Sequence, residues 1–176
     1  MHYEYKYPLE LVARSVQTRF QHGFARMAMH LLPQLDDVAY EPSSSGLKLL
    51  AEDESALATP AEILQQAYGD DVRLGPLRVR LLREAGQVKE PVMNVRVQSR
   101  RSDEQNVLDD LAHRDAVMQE IDQQHAMCII RAQATLRNLL GYRQTLATMT
   151  ANTAEAWVWL SHYAPVNDEP DGGSAA

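Results

Sequence analysis

The sequence predicts an α+β fold of two tandem ferredoxin-like sandwiches, each with the element order β-α-β-β-α-β. One observation is that segments with apolar residues at every second position adjoin segments whose apolar residues recur every three or four positions. The first spacing is typical of strands and the second of amphipathic helices. The other observation is that this succession of elements occurs twice in 176 residues. In such a sandwich the helices cover one face of the sheet, so each sheet is expected to keep a second, open face.

The first copy is predicted to occupy residues 1–84. Its opening strand shows strict alternation, because polar residues or Pro8 separate the apolar side chains of Tyr3, Tyr5, Tyr7, Leu9 and Leu11. The next segment predicts an amphipathic helix. The helix is expected to bury a single stripe formed by Phe20, Phe24, Met27, Ala28, Leu31, Leu32 and Leu35.

The remainder of the first copy completes its sheet. Residues 38–42 and 47–51 flank a Ser-Ser-Ser-Gly run and predict a hairpin. Thr59 and Glu62 match a capping box, with Pro60 at the first helical position, and Gly69 stands where the second helix should end. Residues 72–82 are then predicted to form the closing strand.

The second copy is predicted at residues 91–166, after a polar linker at 85–90. Met93, Val95 and Val97 face one side of its opening strand, while Asn94, Arg96 and Gln98 face the other. A helix capped by Ser102 and Gln105 follows, and then a hairpin of residues 117–123 and 127–136, a helix over 139–149 and a last strand over 156–163. Residues 167–176 have the composition of a disordered tail.

Composition and charge narrow the class of protein. The apolar share of 45% allows a real core, and no run of 18 apolar residues predicts a membrane span. The N-terminus lacks the pattern of a secretory signal, and the single cysteine, Cys128, fits a reducing compartment, so a cytoplasmic location is expected. The net charge of −7 is shared by both halves, which disfavours RNA as the main partner because phosphate binding draws on Lys and Arg.

Several short runs in the second copy resemble the C-terminal domain, domain V, of the elongation factor G family. They are Glu-Pro-Val-Met-Asn-Val at 90–95, Ile-Arg-Ala at 130–132, Leu-Gly-Tyr at 140–142 and His-Tyr at 162–163. The first copy resembles domain III of the same factors through the run from Val72 to Glu84. A domain III followed directly by a domain V is similar to the LepA-type and BipA-type translational GTPases. The resemblance implies a ribosome-facing module.

Two departures from the family bear on function. The chain has no Gly-x-x-x-x-Gly-Lys-Ser/Thr run, so these residues cannot hold a nucleoside triphosphate by a phosphate loop. In the loop after the last helix, where the family carries Arg and Gly, residues 147–154 read Ala-Thr-Met-Thr-Ala-Asn-Thr-Ala. Inheritance of the family's ribosomal contacts through this loop is therefore not expected.

The candidate interface consists of aromatic residues. Trp157 and Trp159 alternate with Ala156, Val158 and Leu160, so the two indoles should point to the open face of the second sheet. Three explanations fit these two tryptophans. They could pack on the first copy, contact a partner protein or stack on RNA bases. Tyr3, Tyr5 and Tyr7 pose the same question. Either they are core residues, or they meet the tryptophans in an aromatic seam between the two copies.

The candidate contacts for RNA or for an acidic partner are Arg100, Arg101, Arg114, Arg137 and Arg143, the basic concentrations of the second copy. No histidine pair has the spacing of a metal site, and Cys128 lies in an apolar strand, where a buried inert thiol is expected. The acidic pairs and triplets fall at turns or helix ends. The sequence therefore predicts no catalytic site, no metal and no cofactor.

These observations support two functions. The chain is predicted to be a non-catalytic, elongation-factor-like module that binds the ribosome or a translation-related protein. The alternative is an interaction or regulatory module that keeps only the fold and binds a protein partner through the aromatic sheet face. No membrane partner is expected, and the sequence leaves the oligomeric state open.

Overall fold

Two antiparallel sheets, each flanked by helices, make up this α+β protein. The computed structural model describes residues 6–166. The first sheet contains five strands: β1 (Leu9–Ser15), β2 (Val38–Ser43), β3 (Gly46–Ala51), β4 (Val72–Leu74) and β5 (Arg78–Val79). The second sheet also contains five: β6 (Leu82–Glu84), β7 (Gln87–Arg100), β8 (Val117–Gln124), β9 (Met127–Thr135) and β10 (Glu155–Pro165). The helices are α1 (Gln21–Met29), α2 (Ala58–Tyr68), α3 (Glu104–His113), α4 (Leu136–Leu139) and α5 (Tyr142–Met149).

The strand orders are those of ferredoxin-like sandwiches. The first sheet runs β2-β3-β1-β4, with β5 also paired to β1, and the second runs β10-β7-β9-β8, with β6 also paired to β7. In both, the first and third strands of the β-α-β-β-α-β unit lie in the centre and the other two form the edges. The predicted fold class is therefore confirmed.

The core of the second sandwich lies between one sheet face and its helices. Met93, Val95 and Val97 on β7 are buried, as their alternation predicts, and Ile130 and Ala132 on β9 lie beside them. The helices contribute Val107, Leu111, Tyr142 and Leu146 to the same cluster. The thiol of Cys128 is buried and lies 3.1 Å from the Ser99 hydroxyl oxygen.

The predicted buried stripe of the first helix is wrong for most of its members. Phe24, Ala28 and Leu32 are buried, but Phe20, Met27, Leu31 and Leu35 are exposed. The helix also ends at Met29 rather than continuing to residue 35. A second, uncovered apolar face therefore runs along the outside of α1.

The start of α2 differs from the predicted capping box. The chain turns at Ser55–Leu57 in a 3₁₀ segment that runs directly into α2, and Thr59 makes no capping hydrogen bond. Asp53 provides the cap instead, because its Oδ1 accepts a hydrogen bond of 3.0 Å from the Ala56 amide. Gly69, at φ 53°, ends the helix as predicted.

The region between the sandwiches also differs from its prediction. Residues 85–90, predicted to be a linker, form a turn and the beginning of β7, while β6 pairs with β7 as part of the second sheet. Ala85 and Gly86 both have positive φ, which suits the tight two-residue turn of a hairpin. The predicted strand over 72–82 is broken into short pieces, and the Gly75–Pro76 step lies in the break.

The opening strand runs later along the chain than predicted. It occupies Leu9–Ser15. Tyr3 and Tyr5, which were predicted to belong to this strand, lie outside the described residues. The predicted disordered tail at 167–176 lies outside them as well. Among residues 6–166, no helix combines the length and apolarity needed to cross a membrane.

Candidate binding surface of the second sheet

Strand β10 places Trp157 and Trp159 on the open face of the second sheet. Trp157 pairs with Arg96 of β7 and Trp159 pairs with Asn94, while the intervening Val158 pairs with the buried Val95. Ala156, Val158 and Leu160 pack against the core, so the alternation of the strand turns both indoles away from it. Trp157 is 40% exposed and Trp159 is 47% exposed. Side chains this large are seldom left so exposed unless they contact a partner.

Arginine stacking orients the first of the two indoles. The Arg96 guanidinium carbon lies 4.8 Å from the centroid of the Trp157 ring, within the distance of a cation–π contact. Arg96 makes no ion pair within the described residues, so its charge is not neutralised by a carboxylate there. The Arg96–Trp157 pair thus presents a flat cationic and aromatic surface.

Hydrogen bonds hold the neighbouring polar side chains of the same face. The Gln133 Nε2 donates to Asn94 Oδ1 at 2.8 Å and lies 3.2 Å from Ser161 Oγ. Further along the face, Arg131 forms a 2.9 Å ion pair with Glu120. The open face therefore combines amide groups, one ion pair and two exposed indoles, a composition typical of binding interfaces rather than of a core.

A cleft adjoins Trp159 at the junction of the two sandwiches. Its volume is about 470 Å³, and Trp159 lines it together with Lys6, Asp37, Glu52, Asp53, Ser55, Val158 and Leu160. The Lys6 ammonium pairs with Glu52 at 3.2 Å, so part of this acidic wall is neutralised. Trp159 thus faces the first sandwich across an open cleft rather than being enclosed by it.

Two polar contacts close the junction beside this cleft. Arg143 Nη2 forms a 3.1 Å ion pair with Asp53 Oδ2, and its Nη1 donates to the Ala156 carbonyl at 2.8 Å. The Gly141 amide donates to Glu54 Oε1 at 2.8 Å. Asp53 and Glu54 of the first sandwich therefore contact Arg143 of α5 and Gly141 of the Leu-Gly-Tyr segment, and Arg143 connects this junction to β10.

Asp53 is expected to stabilise the fold through two separate interactions, a helix cap and an ion pair. Asp53→Ala removes the acceptor for the Ala56 amide and the partner of Arg143, and a lost helix cap alone costs about 1 kcal/mol. Asp53→Asn should keep most of the cap and lose the ion pair, which contributes less than about 1 kcal/mol at this exposure. Urea unfolding should therefore rank wild type above Asp53→Asn and Asp53→Asn above Asp53→Ala. Equal stability of the two variants would show that the cap contributes nothing.

Tyr7, which precedes β1 in the structure, packs within the first sandwich. Tyr7 is buried in a cluster with Ala39 and Leu50, and its hydroxyl donates to the Asp36 carbonyl at 3.1 Å. Tyr3 and Tyr5 lie outside the described residues. The seam between the tyrosines and the tryptophans therefore stays a prediction, and the observed surroundings of Tyr7 are those of a core residue.

The five predicted arginines have different roles in the structure. Arg114 pairs with Asp110 at 2.9 Å and donates to the carbonyls of Asn138 and Leu140, at 2.9 and 3.3 Å. Arg143 is engaged at the junction described above. Both guanidinium groups thus support the fold.

The other three predicted arginines are exposed. Arg100 ends β7, and Arg101 donates to Gln123 Oε1 at 3.2 Å. Arg137 pairs with the buried Glu90 at 3.0 Å. Arg100, Arg101 and Arg137 are the members of the predicted set whose side chains face solvent, and their contact with a partner remains a prediction.

The Leu-Gly-Tyr segment has a structural role. Gly141, at φ 75°, separates α4 from α5, and Tyr142 is almost fully buried at the start of α5. The Arg114 guanidinium carbon lies 5.2 Å from the Tyr142 ring centroid. Burial, with a contribution from Asp110, raises the pKa of the Tyr142 phenol, so this ring stays neutral near physiological pH. The motif therefore supplies a turn between α4 and α5 and a buried core residue.

The loop after α5 is closed by threonine side chains. Thr150 Oγ1 donates to the Leu146 carbonyl at 2.7 Å and accepts from the Ala154 amide at 3.3 Å. Ala151 and Asn152 both have positive φ, a conformation that glycine adopts more readily. The loop thus folds without glycine, and it presents no basic side chain at residues 147–154.

The open face also contains four polar residues that the sequence analysis does not include in the candidate site. They are Asn94, Arg96, Arg131 and Gln133. The alternation of β7 already assigned Asn94 and Arg96 to the face opposite the core. The pairing of β7 with β10, which the sequence analysis did not predict, places Arg96 beside Trp157. Among residues 6–166, no cluster of His, Cys, Asp and Glu has the arrangement of a metal site.

Comparison with known proteins agrees with this architecture. The family model described as elongation factor G C-terminus matches residues 87–172. Elongation factor G of Granulibacter bethesdensis is 31% identical over 86 residues, which are 48% of this chain and 12% of that protein. Mitochondrial ribosome-releasing factor 2 of Danio rerio is 33% identical over 92 residues, 52% of this chain and 12% of that protein. The chain thus spans about an eighth of either relative's length.

A solved structure extends the likeness to the first sandwich. The crystal structure of a Thermus thermophilus protein superposes on 93% of this chain, using 41% of its own, with a TM-score of 0.65 and 14% sequence identity. At this identity the likeness concerns the fold alone. The family model of the elongation factor G C-terminus matches the part of the chain that carries the open face and both tryptophans.

Proposed function

We propose that this chain is a non-catalytic binding module that acts in the cytoplasm on the ribosome or on another component of the translation machinery. The observation that carries the proposal is the family match of residues 87–172, since that domain is part of translation factors. The names of the two relatives, an elongation factor and a ribosome-releasing factor, point the same way. The described residues supply exposed aromatic and cationic groups for contact.

Sedimentation with ribosomes tests this proposal. We expect the purified chain to pellet with ribosomes of its own organism through a sucrose cushion at about 50 mM salt, where screening is weak. An excess of purified elongation factor G should release it if both proteins use one site. A tube without ribosomes is the control. A chain that stays in the supernatant with ribosomes at low salt contradicts the proposal.

The second candidate function is binding of a protein partner outside the ribosome through the open face of the second sheet. The exposure of Trp157 and Trp159 in a chain of net charge −7 favours it, because carboxylates repel an RNA backbone while indoles suit a protein interface. A purified partner that binds the chain in the absence of ribosomes would support this function. Binding only to intact ribosomes would count against it.

A further inference from the structure

Helix α1 carries apolar side chains on its outer face as well as on its buried one. Phe24, Ala25 and Ala28 face the sheet, whereas Phe20 and Met27 are 71% and 70% exposed. Phe20, Gly23, Met27 and Leu31 follow one another at spacings of three and four residues, so they lie along one side of the helix and its flanks. A helix that is apolar on both sides is normally covered on both. We call Phe20, Gly23, Met27 and Leu31 the outer stripe.

The outer stripe has a defined shape at its N-terminal end. A Cβ atom at Gly23 would overlap Cδ1 and Cε1 of Phe20, so the Phe20 ring lies directly on the helix backbone. The ring thus occupies the space beside Gly23 and adds to the apolar surface of the outer stripe. Val16, which is also exposed, precedes the helix on the same segment.

The chain segment that carries the outer stripe is basic, whereas the chain as a whole is acidic. Residues 11–35 contain three arginines, two histidines and no aspartate or glutamate, in a chain with 24 acidic residues. Arg19 and Arg26, which are next to Phe20 and Met27 in the sequence, are exposed and make no ion pair within residues 6–166. Their charges therefore remain available to an external carboxylate.

We propose that the outer stripe of α1 is a docking surface for an acidic amphipathic segment of a partner protein. Apolar side chains of that segment would cover Phe20 and Met27, and its carboxylates would pair with Arg19 and Arg26. This surface lies on the first sandwich and is separate from the tryptophan face, so it does not depend on the proposed ribosomal function.

Other occupants fit the same residues less well. A symmetric pair of α1 helices from two copies would bring the rims of like-charged arginines together, which is unfavourable. An anionic membrane would attract the arginines but repel a chain of net charge −7. The acidic residues at 168–171 belong to a segment, 167–176, that contains no large apolar side chain to cover the stripe.

A peptide pair of defined chemistry tests the proposal. The first probe is a 15-residue amphipathic peptide, a length of about four helical turns, with leucines at i, i+3, i+4 and i+7 spacing and glutamates elsewhere; the second has lysines in place of the glutamates. Fluorescence anisotropy with the full chain should show binding of the glutamate peptide that weakens with salt, and at least tenfold weaker binding of the lysine peptide. Equal binding of the two peptides, or none by the glutamate peptide, overturns the proposal.

Three variants locate the binding on α1. Met27→Glu should raise the Kd of the glutamate peptide at least tenfold, and Val117→Glu, an equally drastic change at an exposed apolar residue of the second sheet, should leave it unchanged. Gly23→Ala should displace the Phe20 ring and weaken binding several-fold, with a urea midpoint no lower than wild type because alanine favours helix more than glycine does. Unchanged binding by both Met27→Glu and Gly23→Ala contradicts the assignment.

Two further measurements test the competing occupants, a membrane and a second copy of the chain. In flotation with vesicles of phosphatidylserine and phosphatidylcholine, the chain should stay unbound. In sedimentation velocity, the wild-type chain should show no self-association that depends on Met27. Vesicle binding that Met27→Glu removes would assign the stripe to a membrane. A dimer that the same variant dissociates would assign it to a second copy, and either result overturns the proposal.

Discussion

Replacing Trp157 and Trp159 together with alanine is expected to weaken binding to the ribosome or to a protein partner by about 30-fold or more. A central interface tryptophan typically contributes about 2 kcal/mol or more to binding, and about 2 kcal/mol corresponds to about 30-fold in Kd. Both indoles lie on the open sheet face, and Trp157 also holds the Arg96 guanidinium at 4.8 Å. The double variant therefore removes two aromatic surfaces and one oriented charge at once. The pelleted fraction with ribosomes, or the Kd for a purified partner, measures the loss.

Matched variants separate this loss of binding from a loss of folding. Trp157→Phe with Trp159→Phe keeps flat aromatic rings and should retain most of the affinity, whereas Leu81→Ala removes an exposed apolar side chain elsewhere and should retain all of it. Because neither indole is buried, the alanine pair should still unfold cooperatively in urea. Wild-type binding by a folded double variant would exclude the open face as the interface.

The strands and their order could be predicted because the second sandwich follows its local pattern closely. Met93, Val95 and Val97 alternate with polar residues, and the structure buries all three. The same alternation in β10 correctly predicted that Trp157 and Trp159 are exposed. In a strand the period of two leaves only two faces to assign, so one buried residue fixes the orientation of its neighbours.

The helix faces could not be predicted with the same certainty. In α1, apolar residues at three- and four-residue spacings occupy such a wide arc that periodicity does not show which part is covered. Only the packing of Phe24 and Ala28 on the sheet reveals that Met27 lies outside. The misassigned cap of α2 has a related cause, since Asp53 and Thr59 both fit an N-cap and the 3₁₀ turn at Ser55–Leu57 decides between them.

The candidate site was predicted in part for similar reasons. The open face and its tryptophans follow from alternation, but the roles of Arg114 and Arg143 depend on contacts far along the chain. Arg143 reaches Asp53, 90 residues away, and Arg114 reaches Thr145 at 3.1 Å. Charge clusters in the sequence do not distinguish arginines that contact partners from arginines that bind the chain's own carbonyls.

Tyr142→Ala is expected to lower the free energy of unfolding by about 3–5 kcal/mol, the usual cost of removing a large buried aromatic side chain. The ring is 1% exposed and belongs to the core cluster of the second sandwich. Since domains are stable by only about 5–15 kcal/mol, this change would remove much of the total. Urea unfolding followed by circular dichroism measures it. A loss below about 1 kcal/mol would show that the site collapses around the missing ring.

Tyr142→Phe distinguishes the ring from its hydroxyl, because the two groups should act in opposite directions. The hydroxyl is buried and has no hydrogen-bond partner within residues 6–166, so its removal should leave stability unchanged or raise it by about 1 kcal/mol. Burial raises the pKa of this phenol above the value of 10.0 that it has when exposed. The unfolded chain then loses the proton above about pH 10 while the folded chain keeps it, so wild-type stability is constant below that pH and falls above it, by at most about 1.4 kcal/mol per pH unit. Tyr142→Phe should lack this part of the decline. Identical pH profiles for wild type and Tyr142→Phe between about pH 9 and 11 would contradict the burial of a neutral phenol, because that phenol is the group whose titration the substitution removes.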